Sequence, residues 1–126
     1  MRNTQHISDR GKTAYFAGVA AEEAVACVYS QRGHRLIAKR WRGKTGEIDL
    51  VFGSGPARIF VEVKKSRTFA TAAVRVSAKQ QRRIFSAAEE FLTKEPQGML
   101  TESRFDVALV NARGEIDILE NALSTG

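Results

Sequence analysis

The chain has 126 residues, a formal net charge of +6 and 43% hydrophobic residues. That length supports one domain around one core, and the excess of Lys and Arg points to a polyanionic partner, most simply nucleic acid. One cysteine, Cys27, excludes an intramolecular disulfide and, with only two histidines, a Cys/His zinc cluster.

No run reaches the roughly 18 apolar residues of a membrane span, and the N-terminus lacks an apolar signal segment. Cytoplasmic residence is the expectation, without membrane attachment and with Cys27 as a buried free thiol.

Residues 1–13 are polar, mixed in charge and without periodicity, which reads as a flexible tail before a single domain over residues 14–126. Thr13 to Arg32 reads as an alanine-rich helix, with an inward stripe of Phe16, Val19, Ala20, Ala24, Cys27 and Val28. Gly33 supplies its C-terminal stop. Glu22 and Glu23 border that stripe, and their spacing does not choose between them. Arg35 to Trp41 reads as a short strand. It runs into Lys39-Arg40-Trp41-Arg42-Gly43-Lys44, where four positive charges surround an indole. Such a segment can bind phosphates and stack a base. It can equally be a core tryptophan with a solvated rim.

Gly46 to Lys64 reads as a β-hairpin around Gly53-Ser54-Gly55-Pro56. With the turn centred between Gly55 and Pro56, Phe52 faces Ile59, Leu50 faces Val61 and Ile48 faces Val63. That face is apolar. The other carries Glu47, Asp49 and Val51 opposite Lys64, Glu62 and Phe60, so Asp49 lies across from Glu62. A one-residue slip would bury the carboxylates, which fixes the register. Like charges facing across a sheet are unfavourable, but two carboxylates can hold Mg²⁺ or Mn²⁺, an ion that keeps several waters. The Val63 carbonyl offers a further ligand. Lys64 points the same way as Glu62, close to metal-bound water. Metal-assisted phosphodiester hydrolysis uses such a set: a cation on the phosphate, a polarised water and a nearby positive charge. The bland alternative is a solvated face with ion pairs such as Glu47 with Lys64.

Lys65 to Val76 reads as a basic connection with Lys65, Arg67 and Arg75, its small apolar middle at 69–74 mobile. Ser77 with Gln80 reads as a capping box opening a helix. Ile84, Phe85, Ala88, Phe91 and Leu92 form its apolar face, and Pro96 closes it. Lys79 in its first turn is favourable only beside an anion. Gln80, Arg82 and Arg83 extend the polar, basic surface. Arg104–Val110 and Glu115–Leu119 read as a second hairpin, with Phe105, Val107 and Leu109 aligned with Ile116 and Ile118.

Asp49 followed by Glu62-Val63-Lys64 resembles the active-site motif of restriction-endonuclease-like nucleases, including archaeal Holliday-junction resolvases. GEIDLVF with FVEVKKS is similar more specifically to the YraN family of bacterial proteins. The likeness runs from about Phe16 to Leu123 and includes Gly18, Glu22, Arg32-Gly33, Ala38, Trp41-Arg42, Lys79 and Arg104-Phe105-Asp106. The chain departs from it at Lys65-Ser66, Arg40 and Ala21.

The resemblance implies an α/β (α+β) fold of order α-β-β-β-α-β-β, with a mixed, mainly antiparallel sheet flanked by helices. It implies a nuclease with Asp49 and Glu62 as metal ligands and Lys64 as the catalytic cation, and it selects Glu22 over Glu23 as a supporting carboxylate. Branched DNA as substrate rests on the fold analogy alone, and two symmetric junction cuts would suit a homodimer. The candidate nucleic-acid contacts are Lys39, Arg40, Trp41, Arg42, Lys65, Arg67, Lys79 and Arg82. A silent nucleic-acid-binding module of the same fold and a protein-interaction subunit remain the alternative readings.

Overall fold

The computed structural model describes residues 2–73 and 75–123, residues 2–16 as backbone path alone. The elements are α1 (Arg2–Gln31), β1 (Arg35–Arg42), β2 (Glu47–Ser54), β3 (Ala57–Lys65), α2 (Phe69–Ala73), α3 (Ala78–Leu92), a 3₁₀ turn (Gly98–Leu100), β4 (Ser103–Val110) and β5 (Ile116–Leu119). The five strands form one sheet in chain order. β3–β4 pair in parallel and the other neighbours antiparallel. The mixed, mainly antiparallel α/β architecture is the one expected, with α2 and the 3₁₀ turn added. Among the described residues no helix is long and apolar enough to cross a membrane.

The helical path of α1 begins at Arg2, so it passes through the segment read as a tail. Its end is the glycine-capped one expected. Gly33 takes a φ of 88°, while Gly33 N donates to Ser30 O and His34 N to Tyr29 O at 3.0 and 3.1 Å. The inward stripe differs from the expected one. Among the α1 side chains described, Ala21, Val25, Ala26 and Tyr29 are the buried ones and Cys27 is exposed rather than buried, while the Phe16 side chain lies outside them. Tyr29 sets this rotation. Its ring stacks on Phe52 with centroids 4.5 Å apart, and its hydroxyl donates to the buried Asp106 at 2.6 Å. An anchor held at both ends outweighs a stripe of small residues that bury little area.

The β2–β3 register is the expected one, with Phe52↔Ile59, Val51↔Phe60 and Leu50↔Val61. Leu50, Phe52, Ile59 and Val61 pack under α1, while Val51 and Phe60 pack under α3 with Ala87, Ala88, Phe91 and Leu92. One hairpin pair departs. Ile48 joins the α3 cluster, whereas Val63 packs on the α1 side, so the two do not share a face. Residues 48 and 50 of a regular strand would point alike. The alternation breaks where Arg40 in β1 takes a φ of 48°, between the pairs Lys39↔Leu50 and Trp41↔Ile48.

The connection after β3 is also more ordered in outline than expected. Residues 69–73 form α2, with Ala72 buried among Ile84, Val107, Leu109 and Leu123; Val74 lies outside the described residues. Ser77 caps α3 by accepting from Gln80 N at 3.2 Å. In the second hairpin the pairs are Val110↔Ile116 and Ala108↔Ile118. Ile116 and Ile118 therefore lie on the α1 side with Ala108 and Val110, while Phe105, Val107 and Leu109 face α2 and α3. The turn explains the offset. Asn111 Oδ1 accepts from the N–H groups of Arg113 and Glu115, which places Ile116 as the first paired residue.

Candidate functional site

The site lies where β2 and β3 part. Their pairing runs from Ser54↔Ala57 to Leu50↔Val61. Past that point Val63 N donates to the side chain of Asp49, at 2.8 Å from Oδ2. Each strand keeps its outer neighbour further along. β2 pairs β1 to Arg42↔Glu47, and β3 pairs β4 to Lys65↔Val110. A carboxylate thus stands between two strands that are anchored on their far edges.

Glu62 is 7% exposed. Burial first, then the charge of Asp49, push its carboxyl up to about 8, and a hydrogen bond to Asp49 adds to the rise. Lys64 opposes this, with Nζ 3.3 Å from Glu62 Oε1. Asp49, Glu62 and Lys64 are therefore brought together as the spacing implied. Burial and the facing charge of Asp49 thus favour the protonated form of Glu62. Among the described residues no group of three or more His, Cys, Asp or Glu side chains is arranged to hold a metal. The donor set on offer is Asp49, Glu62 and the Val63 carbonyl. It suits an ion that needs one or two carboxylates and fills its remaining positions with water.

Glu22, on α1, is at the margin of this group. Burial raises its carboxyl, and so do the charges of Asp49 and Glu47, against a lowering by Arg40. Its hydrogen-bond partner is Arg40, whose Nε donates at 2.9 Å. Glu23 is exposed. Of the two, Glu22 is the more buried and the one that feels the charge of Asp49.

One residue near the site was not read as part of it. The Gln80 amide, oriented to satisfy its neighbours, donates through nitrogen to Arg75 O and accepts through oxygen from Lys64 Nζ. Lys64 is held between Glu62 on its own strand and Gln80 on α3. The sequence signal for Gln80 was its place in the first turn of α3, which accounted for capping but not for a contact across the sheet.

The basic candidates are spread rather than gathered. Lys39 and Arg40 border a small cavity of about 180 Å³ beside Glu22 and Glu23. Trp41 and Arg42 border a larger groove beside the C-terminal half of α3. Lys79 and Arg82 are exposed on α3, and Lys65 and Arg67 are exposed at and just past the end of β3. Trp41 packs partly into the core, edge to face with Phe91 at 5.4 Å. The reading of this indole as a core anchor therefore holds in part.

Fold and site together define an α/β protein with an Asp–Glu–Lys cluster at the open end of a central hairpin. The model of "Uncharacterised protein family UPF0102" matches residues 21–110. A UPF0102 protein of Roseobacter denitrificans is 55% identical over 92% of this chain and 90% of its own. One from Cereibacter sphaeroides is 54% identical over 90% and 97%, and one from Ruegeria pomeroyi 50% identical over 95% and 98%. The chain belongs to the UPF0102 family, which is the YraN family of the sequence resemblance.

Proposed function

We propose that this protein is a cytoplasmic, divalent-metal-dependent endonuclease that hydrolyses phosphodiester bonds of DNA. The observation that carries the reading is the convergence of Asp49, Glu62 and Lys64 where β2 leaves β3. Asp49, Glu62 and the Val63 carbonyl would hold Mg²⁺ or Mn²⁺, which supplies Lewis-acid activation of water and neutralises phosphate charge. The chain's own groups do the rest. The Val63 N–H orients Asp49. Lys64 stabilises the anion that develops at phosphorus, and Gln80 keeps its ammonium in place. Burial of Glu62 reduces screening, so each charge acts more strongly than it would in water. Branched DNA is the substrate favoured by the likeness to junction resolvases, and a homodimer would provide two sites for paired cuts.

A second reading, a silent nucleic-acid-binding module, is favoured by the Lys64–Glu62 contact, which already satisfies the lysine without metal. Incubation with branched, flapped, single-stranded and duplex DNA in Mg²⁺ or Mn²⁺ decides between them. Cleavage that disappears in chelator is the expected result. Binding without cleavage of any substrate assigns the protein to the second reading.

A further inference from the structure

We propose that the groove between the β1–β2 turn and the C-terminal half of α3 binds unpaired nucleotides of a nucleic-acid strand, with a base on Trp41 and phosphate on Lys44 and Lys94. The substrate then carries a single-stranded segment close to the cut bond. This rests on the nucleic-acid reading above and specifies the substrate further.

The groove has a volume of about 580 Å³ and is lined by Trp41, Arg42, Lys44, Glu90, Thr93 and Lys94, with Gly43 at its floor. That volume lies within the roughly 300–1,000 Å³ of small-ligand sites. Its one carboxylate is held by the turn. Glu90 accepts from Lys44 N at 2.7 Å and from Thr45 Oγ1 at 3.2 Å, so both its oxygens are engaged by neutral donors of the turn. Arg42 meets Glu47 at 2.9 Å on the rim. With Arg42 offset by Glu47, Lys44 and Lys94 against Glu90 leave the groove a net positive charge that suits an anion, and the indole suits a planar ring.

The turn is shaped around these two side chains. A Cβ at Gly43 would run into the Glu90 carboxylate and come within 2.9 Å of the Trp41 ring. Gly43 N donates to Gly46 O at 2.9 Å and closes the loop over them. A side chain at position 43 would force Glu90 and the Trp41 ring to shift.

The groove is also in line with the candidate active site. Trp41 pairs with Ile48, the residue before Asp49, and both pack on the α3 side of the sheet. α3 starts over Lys64, through Gln80, and reaches the groove at Glu90. At about 1.5 Å rise per residue these points are on the order of 15 Å apart along the helix. A few nucleotides cover that distance. Bases inside a duplex are stacked on one another and are not available to Trp41, so the occupant is an unpaired stretch.

Trp41 is the chain's single tryptophan, so its fluorescence reports on the groove directly. The test titrates the whole protein, in chelator, with a short oligothymidylate and with a blunt duplex. Saturable quenching by the oligothymidylate and weaker quenching by the duplex are expected. The double variant Lys44→Gln/Lys94→Gln, altered at two exposed positions, is expected to bind the single strand more weakly and with a salt slope lower by about 1.4 log units, at about 0.7 per lost phosphate contact. Unchanged Trp41 emission, or a double variant with wild-type affinity and slope, overturns the proposal. So does quenching by an acidic peptide but not by oligothymidylate. Cleavage assays in Mn²⁺ separate the two readings. A protein that cuts DNA without Trp41 quenching loses the groove and keeps the nuclease. One that quenches but cuts nothing keeps the groove as a binding site and loses the nuclease.

Discussion

Val63 N donates to Asp49 Oδ2 at 2.8 Å, so a side-chain oxygen takes a backbone N–H at the place where the two strands separate. The bond fixes the Asp49 carboxylate beside Glu62. It also makes Asp49→Asn a clean probe, because an amide oxygen can accept the same N–H while the charge is removed. Asp49→Asn, Glu62→Gln and Lys64→Ala are each expected to lower DNA cleavage by about 10²-fold or more while the fold is kept, since they act on developing charge rather than on the apolar core. Cleavage rates alongside far-ultraviolet circular dichroism check this. A Lys64→Ala protein that cuts at the wild-type rate removes that residue from the mechanism.

The raised Glu62 carboxyl has a consequence for stability. Below about pH 4.5, its ordinary value, Glu62 is protonated in both folded and unfolded chains and carries no penalty. Between there and about pH 8 the folded protein holds a proton that the unfolded chain has released. Stability therefore falls as pH rises through this window, by up to about 1.4 kcal/mol per pH unit, and the loss is complete above it. Glu62→Gln should flatten the curve. Asp49→Asn should shrink it, because Asp49 is the second cause of the rise after burial. Urea melts in chelator across the window measure all three proteins. Identical slopes in wild type and Glu62→Gln would mean that Glu62 is ionised normally.

Much of the site was legible because the hairpin carries its own register. Two alternating runs around a Gly/Ser/Pro cluster place Leu50 against Val61 and leave Asp49 and Glu62 together. The position of Ile48 was not legible, since the irregularity of β2 lies beside a positive φ at Arg40 on the neighbouring strand, and arginine gives no local signal for that conformation. Tyr29 was missed for a different reason. Alanines on several faces of α1 allow more than one stripe, and the hydroxyl's partner, Asp106, is far away in sequence. Gln80 likewise announces only its local role as the residue capped by Ser77, while its contact with Lys64 depends on how α3 crosses the sheet.

Divalent metal should offset the repulsion that the fold tolerates. With Mg²⁺ or Mn²⁺ at about a hundred times its dissociation constant, wild type is expected to gain about 2.7 kcal/mol of stability by mass action. Asp49→Asn and Glu62→Gln are expected to gain much less. Metal competes with the proton on Glu62, so the gain should be larger at pH 8.5 than at pH 6. Thermal melts with chelator and with metal at both pH values test this. A wild type indifferent to metal at the higher pH would leave the two carboxylates without a cation to hold.

A buried acid, Asp106, lies outside the site. Asp106 is fully buried and accepts from Tyr29 Oη at 2.6 Å, Arg104 Nε and Nη2 at 2.9 Å each, and Asn121 N at 2.8 Å. Burial and the adjacent carboxylate push the Tyr29 phenol up, so it stays a donor throughout the ordinary pH range. The group ties α1, β4 and the segment after β5 together at the α1 side of the sheet. Tyr29→Phe removes one of several donors to a charge and should destabilise the protein by about 1.5–3 kcal/mol. Asp106→Ala leaves the buried Tyr29 hydroxyl and the Asn121 N–H without their acceptor and should cost about 1–3 kcal/mol for each. Neither change touches Glu62 or Lys64, so cleavage per folded molecule should be unaltered in Tyr29→Phe. Chemical denaturation gives the stabilities, and cleavage rates at a temperature where both proteins are folded give the comparison. A Tyr29→Phe protein of wild-type stability that no longer cuts DNA would move this network from scaffold to active site.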